Sequence, residues 1–231
     1  TPSTASCARF MPESTLIPLW LTLKVACLAT VASGALGVGL AWWMARRRFV
    51  GHALLDALLM LPMVLPPTVL GYYLIVLIGR NGLLGRYLDQ WLGINLMFTW
   101  QGAVLAAAVV SLPLIYKGAR AAFEETDPRL AQAARTLGAG ELEVFWRISL
   151  PMALRGITAG LMLTFARAMG EFGATLMIAG NLPGKTQTLS IAVYDAVQAG
   201  NDAQALWLTG LISAVCVAVL VGSGRLLQAR H

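Results

Sequence analysis

Long apolar stretches separated by short polar segments dominate the pattern along the whole chain. An α-helix rises about 1.5 Å per residue, so about 20 apolar residues can cross a hydrocarbon core roughly 30 Å thick. Stretches of about this length run over 16–45, 53–79, 100–116, 151–173 and 205–222. The pattern therefore predicts an all-α fold, a polytopic membrane helix bundle with about five transmembrane helices.

Prolines interrupt the second stretch at Pro62, Pro66 and Pro67. Each removes a backbone donor, so the helix is expected to kink or break inside the membrane. Broken backbone at that depth is tolerated only where protein or a water-filled cavity meets it. Pro66 and Pro67 are therefore candidates for lining a translocation pathway, and a simple packing kink is the alternative. Three glycines of the first stretch are expected to allow close helix approach: Gly34, Gly37 and Gly39.

Composition agrees with a membrane protein. The 231 residues are 58% hydrophobic and 12% charged, with a mean hydropathy of +0.70, whereas soluble domains carry about 25% charged residues. No stretch long enough to form a soluble domain lacks apolar spans, so one membrane domain is expected. The net charge of +6 could suggest a nucleic-acid partner, but the positions of the basic residues indicate membrane sidedness instead.

Basic residues concentrate on one side if the amino terminus lies outside. The residues that would then face the cytoplasm are Arg46, Arg47, Arg48, Lys117, Arg120, Arg129, Arg135, Arg147, Arg155, Arg225 and Arg230. Those that would face outward are Arg9, Arg80, Arg86 and Lys185. Because cytoplasmic loops carry the excess of Lys and Arg, the amino terminus is predicted outside and the carboxyl terminus inside.

This sidedness sets the expected domain organisation. Residues 1–15 are predicted to be a flexible extracytoplasmic lead, and 16–224 to be the transmembrane domain. Residues 117–150 form a cytoplasmic loop within it, and 225–231 a cytoplasmic tail.

The loop is predicted to contain a short helix, and the sequence indicates where it begins and ends. Asp127 suits the N-cap and Pro128 the first helical position, because a proline there loses no intrahelical hydrogen bond. Gly138 can end the helix in a left-handed conformation. The residues that fall on one face at helical spacing are Leu130, Ala133, Ala134 and Leu137. Such a helix can bind a partner outside the bilayer, or it can be a solvated connector between spans.

Two sets of motifs resemble a known family. Gln132-Ala133-Ala134, then Gly138, then Ile148 and Leu150-Pro151 resemble the EAA loop of ATP-binding-cassette (ABC) importer permeases, although that family's usual first residue is Glu rather than Gln. Across most of the chain the sequence resembles molybdate permeases more specifically. The segments that carry this second resemblance are LPMVLPP at 61–67, RTLGAG at 135–140 and GEFGAT at 170–175.

The resemblance implies a type I ABC importer permease, with the MetI-like architecture, that moves molybdate into the cytoplasm across the cell inner membrane. It implies a homodimer of this chain, two cytoplasmic ATPase subunits that bind ATP and Mg, and an extracytoplasmic molybdate-binding protein. The chain itself is then no enzyme and holds no cofactor. Coupling would run through the helix around 128–138, and the residues implied are Arg129, Gln132, Ala133, Ala134, Leu137 and Gly138.

Charged residues inside the spans are a second candidate site. Arg167 and Glu171 lie four residues apart in the fourth span, hence on one face of a continuous helix. The pair can brace helix packing, or Arg167 with the hydroxyls of Thr164 and Thr175 can offer passing oxyanions a weak foothold. Asp56, near the start of the second span, is interpreted as an interfacial or capping group.

Other chemistries find little support. GNLPGKT at 180–186 has three residues between its glycines where a phosphate-binding loop needs four. The cysteines and histidines form no metal-binding or disulfide pattern. The rivals that stay open are the same machinery carrying tungstate, sulfate or thiosulfate, an ion-coupled secondary transporter, and a membrane scaffold that transports nothing.

Overall fold

The computed structural model describes residues 12–47, 49–80, 82–93 and 95–228. Every regular element among these residues is helical, so the predicted all-α class is confirmed. The helices are α1 (Pro12–Arg46), α2 (His52–Val64), α3 (Pro67–Ile78), α4 (Gly85–Leu92), α5 (Trp100–Glu124), α6 (Pro128–Thr136), α7 (Glu141–Val144), α8 (Leu150–Met169), α9 (Gly173–Ala179), α10 (Leu189–Gln198) and α11 (Asp202–Gln228). Most of the predicted lead, residues 1–11, and the end of the tail, residues 229–231, lie outside the described residues.

Four helical segments of the described chain are long and apolar enough to cross a membrane. They are Thr15–Arg46, Trp100–Glu124, Glu141–Met169 and Asp202–Gly222. The third joins α7 to α8 through a π-helical turn at Phe145–Ser149. The pair α2 and α3 becomes a fifth span if both halves are counted together. This agrees with the prediction of about five.

The core forms where α1 packs against α5 and α8. Small side chains let these helices come close, as membrane interfaces require. A Cβ atom at Gly34 would lie 2.7 Å from Leu161 Cδ2, and one at Gly37 would lie 2.7 Å from Ile115 Cγ2. Close approach is therefore confirmed at both positions. The prediction of close approach is wrong for Gly39, where an added Cβ would meet nothing within 4 Å.

The predicted proline break is confirmed between α2 and α3. The two helices meet at an angle of 114°. Leu65 and Pro66 both take extended ψ values, 142° and 137°, because a residue that precedes proline is driven out of the helical region. Beyond the bend, α3 packs on α9, where a Cβ at Gly173 would lie 2.8 Å from Pro67 Cβ. Pro62 stays inside α2.

Helix α5 continues to Glu124, past Tyr116, where the third span is predicted to end. It runs through Gly118 without a break, and Arg120 pairs with Glu124 one turn on, at 2.7 Å. The predicted end of the fourth span is wrong. The fourth was expected to reach Gly173, but α8 ends at Met169 and α9 begins afresh at Gly173.

The loop after α9 contains the short helix expected there, realised as α10. The Leu189 backbone N–H donates a hydrogen bond to Thr22 Oγ1 at 2.8 Å, and both residues are buried. This contact fixes the start of α10 against the amino-terminal half of α1.

Candidate functional site

Helix α6 has the ends that the sequence predicts. The Arg129 N–H donates to Asp127 Oδ1 at 2.9 Å, which satisfies one of the free donors of the first turn. Pro128 occupies the first turn. At the other end Gly138 has a φ of 88°, and the next N–H, of Ala139, donates to the Ala134 carbonyl at 3.0 Å. The residues of this one segment therefore determine both ends of the helix.

No residue of α6 is buried. Gln132 and Ala133 are exposed, Ala134 is half-buried, and the apolar side chain of Leu130 is 47% exposed. Leu137, directly after the helix, is 88% exposed. Exposed apolar side chains on an otherwise polar loop are typical of a surface that contacts another protein. Arg129 and Gly138 are exposed on the same segment.

Glu141 links α6 to the end of the first span. Its carboxylate lies 2.6 Å from Arg135 Nε and 2.7 Å from Arg46 Nη1. Arg46 also donates from Nη2 to Ser149 Oγ at 2.8 Å. The hydrogen bond from Arg135 holds the pKa of the Glu141 carboxyl below its ordinary value, so the carboxylate stays charged at neutral pH. The network joins α1, α6 and the turn that leads into α8.

Asp56 links the bent pair to α5. It accepts hydrogen bonds from Tyr116 Oη and Arg120 Nη1, both at 2.7 Å, and from Lys117 Nζ at 3.0 Å. Asp56 was interpreted from the sequence as an interfacial or capping group, and the structure shows that it joins two spans. A charged residue early in an apolar stretch was the available signal, but its partners lie about 60 residues away in sequence.

A cavity of about 1070 Å³ lies behind α6. Its walls come from the ends of α1 and α5, the start of α2, and the inner side of α6, including Gln132 and Arg135. Helix α6 is therefore held by its two flanking connections and by Glu141 more than by packing. Elements with few buried contacts move at low energetic cost.

Of the second candidate site, the structure shows the ion pair between Arg167 and Glu171. Arg167 Nη1 lies 2.7 Å from Glu171 Oε2, and Glu171 Oε1 accepts the Ala174 N–H at 3.0 Å. Glu171 is 3% exposed. It lies in the break between α8 and α9, and it satisfies one of the free N–H groups in the first turn of α9. The ion pair thus forms although the two residues do not share one helix.

The remaining candidate pathway residues divide into two groups. Thr164 and Thr175 are buried, and Thr164 Oγ1 has no hydrogen-bond partner among the described residues. Pro66 and Pro67 are exposed, and Pro67 packs beside Gly173, two residues after Glu171. The structure therefore brings the proline break next to the charged pair, while the two threonines lie within helix packing.

Residues 37–231 match the family described as binding-protein-dependent transport system inner membrane component. The chain belongs to this family. Its members are inner-membrane components, and with its apolar helices this chain is a multi-pass membrane protein. The resemblance to importer permeases is thereby confirmed.

Individual relatives refine the comparison. The chain is 51% identical to the molybdenum transport system permease protein ModB of Escherichia coli (strain K12) over 178 residues, which are 77% of this chain and 78% of that protein. It is 37% identical to the sulfate transport system permease protein CysT of Salmonella typhimurium (strain LT2) over 200 residues, 87% of this chain and 72% of that protein.

A solved structure confirms the expected architecture. An inward-facing crystal form of the MetNI methionine ABC transporter aligns with a TM-score of 0.73 and 17% sequence identity, covering 96% of this chain and 98% of that chain. The fold of this family member is therefore that of the MetI-like permeases.

Proposed function

We propose that this chain is the permease subunit of an ATP-driven importer that carries molybdate across the inner membrane into the cytoplasm. The observation that carries the proposal is α6, a helix capped at both ends and buried nowhere, in a chain that is 51% identical to a molybdenum permease. Its exposed apolar side chains, Leu130 and Leu137, favour a surface that contacts a partner over a solvated connector, and an ATPase subunit is that partner.

The proposed assembly contains two copies of this chain, two cytoplasmic ATPase subunits and an extracytoplasmic molybdate-binding protein. ATP and Mg bind to the ATPases, so the chain itself is no enzyme. The amino terminus faces outward, which puts α6 and the residues 117–150 in the cytoplasm. Lipid surrounds the spans, and no nucleic acid takes part.

Coupling in this assembly runs through two sets of ion pairs, one around Glu141 and one around Asp56. When ATP closes the ATPase dimer, the two α6 helices move together, because each is held in a groove of its ATPase. Arg135, Glu141 and Arg46 transmit the movement to α1, and α5 transmits it through Arg120 and Asp56 to the bent pair. The free energy available is the difference between the contacts that α6 makes in the two ATPase states.

The pathway itself is expected to bind its cargo weakly, because release slows as binding tightens. Arg167 is the cation that can attract an oxyanion near the proline break. Its partial exposure, 36% of the side chain, leaves one side of the guanidinium available while Glu171 holds the other.

Sulfate is the second candidate substrate. The 37% identity to a sulfate permease favours it over unrelated solutes, and tungstate, thiosulfate and sulfate share the charge and the approximately tetrahedral shape of molybdate. An ion-coupled secondary transporter would work without any ATPase, which the family description as binding-protein-dependent disfavours.

Reconstitution tests the proposal. The chain is purified together with its ATPase and placed in liposomes that contain ATP and Mg. The binding protein and molybdate are added outside the vesicles. We expect ATP hydrolysis to rise with molybdate, and uptake of radiolabelled molybdate to be inhibited more strongly by unlabelled molybdate than by sulfate. Uptake that persists without the ATPase would contradict the proposal, and stronger inhibition by sulfate would reassign the substrate.

A further inference from the structure

Helix α4 (Gly85–Leu92) has an apolar side that no other part of the described chain covers. Leu84, directly before the helix, Tyr87 and Trp91 are spaced three and four residues apart, so they share one side of it. They are 50%, 63% and 82% exposed. We call the side formed by these three residues the aromatic face. What covers it depends on the level at which the helix lies in the membrane.

The start of α4 is fixed to the last turn of α3. The Leu84 N–H donates to the Leu77 carbonyl at 2.8 Å. A Cβ atom at Gly85 would lie 2.5 Å from the Ile78 carbonyl oxygen, so the two backbones approach closely. The aromatic face therefore begins at the depth of the end of α3.

Helix α3 ends beside the end of α9. A Cβ at Gly173 would lie 2.8 Å from Pro67 Cβ, and a Cβ at Gly71 would lie 2.8 Å from Met177 Cβ. The second contact is four residues further along both helices than the first, so α3 and α9 run side by side in the same direction. The last turn of α3 is therefore level with the end of α9, at Ala179, or just beyond it.

The end of α9 lies at the membrane surface farther from α6. The Ile178 carbonyl accepts the Phe98 N–H at 2.9 Å, two residues before α5 begins at Trp100. Lys117 follows Trp100 on α5 by about 25 Å, at about 1.5 Å per residue, which is close to a hydrocarbon core roughly 30 Å thick. With Lys117 at the surface nearer α6, Phe98 and Trp100 lie at the opposite surface, and the start of α4 lies there with them.

The other end of α4 is tied to the same surface. The helix ends at Leu92, and four residues later Leu96 packs against the apolar cluster that contains Ile78 and Ile178. Four residues span at most about 14 Å, and the helix itself is about 12 Å long. The helix therefore stays close to this membrane surface over its whole length.

We propose that α4 is an interfacial helix whose aromatic face lies in the lipid at the membrane surface opposite α6. Tryptophan and tyrosine are enriched at this level, and a helix with one apolar side lies in the plane of the interface. Arg86 and Gln90 are exposed and lie off the aromatic face, where they can meet headgroups and water. The helix would then anchor the end of α3, the half of the proline-broken span that is farther from α6.

Fluorescence quenching in lipid nanodiscs tests the position of the aromatic face. Trp91→Cys and Arg86→Cys, in chains whose three native cysteines are replaced, are each labelled with the same environment-sensitive dye. Iodide quenches from the water, and lipids with a nitroxide near the top of the acyl chain quench from the bilayer. We expect iodide quenching about fivefold weaker at position 91 than at position 86, and stronger quenching by the nitroxide lipid at position 91.

The two positions control for insertion driven by the dye itself, because the same dye on the same helix should stay accessible to iodide at position 86. Equal iodide quenching at both positions would overturn the proposal. Protection of position 91 from both quenchers would also overturn it, because a second copy of the chain would then cover the face. Gln90→Cys serves as the exposed position if Arg86→Cys folds poorly. The test needs neither the ATPase nor molybdate, so its outcome is independent of the proposed function.

Discussion

Replacing Gly138 with aspartate is expected to abolish molybdate uptake while the protein still reaches the membrane. Gly138 has a φ of 88°, which side-chain-bearing residues adopt at a cost of about 1–2 kcal/mol, less for aspartate and asparagine. The position follows the carboxyl end of α6, where a negative charge is disfavoured by the helix dipole. An unpaired carboxylate covered by a docked ATPase adds roughly 3 kcal/mol or more, equivalent to about 100-fold in association.

Bulk and charge could both contribute to this effect, but steric overlap within the chain does not. Apart from its two neighbours in sequence, a Cβ at Gly138 would meet no atom of the chain within 4 Å. The charge and the partner's surface therefore carry the effect. Gly138→Asn is the matched control, since it has the same size and tolerates the left-handed conformation but stays neutral. We expect it to retain substantially more uptake; equal uptake by the aspartate variant and the unaltered protein would remove Gly138 from the coupling surface.

The second large effect is expected at the charged pair. Arg167→Ala leaves the buried Glu171 carboxylate without its cation, which we expect to lower the free energy of unfolding by about 1–3 kcal/mol, the lower part of the range applying because Arg167 is partly exposed. The yield of folded protein in the membrane, and its thermal unfolding temperature in detergent, measure this change.

A double variant separates bracing from a role in transport. Glu171→Gln removes the charge that Arg167 neutralises, so Arg167→Ala combined with Glu171→Gln should recover most of the lost stability. If uptake also returns in the double variant, the pair acts as a brace. If stability returns and uptake per folded molecule stays low, Arg167 is the anion foothold. Full uptake in Arg167→Ala alone would rule out both roles.

The sequence predicts those features that depend only on residues close together along the chain. Asp127 and Pro128 start α6, and Gly138 ends it, through contacts within a few residues, so the local pattern was sufficient. The break at Pro66 and Pro67 follows from the ring and its missing donor, whatever packs around it. Apolar length alone indicated the spans, because a bilayer imposes the same requirement on every crossing helix.

Contacts between distant segments could not be derived in this way. The links from Asp56 to Arg120 and from Glu141 to Arg46 join residues about 60 and 95 positions apart, and nothing local to either residue selects its partner. The end of α8 at Met169 was missed for a related reason. Apolar residues resume after Gly170 and Glu171, and only the structure shows that the Glu171 carboxylate accepts an N–H from the first turn of a new helix, α9.

Photo-cross-linking from α6 is the most direct test of the central claim that this helix contacts an ATPase. Ala133→Cys, in a chain whose three native cysteines are replaced, is labelled with a benzophenone maleimide inside the assembled complex. Lys185→Cys, on the loop after α9, is the control. We predict a cross-link to the ATPase subunit from position 133, with a yield that changes when ATP is added, and none from position 185. No cross-link from position 133, or one from position 185, would contradict the proposed coupling.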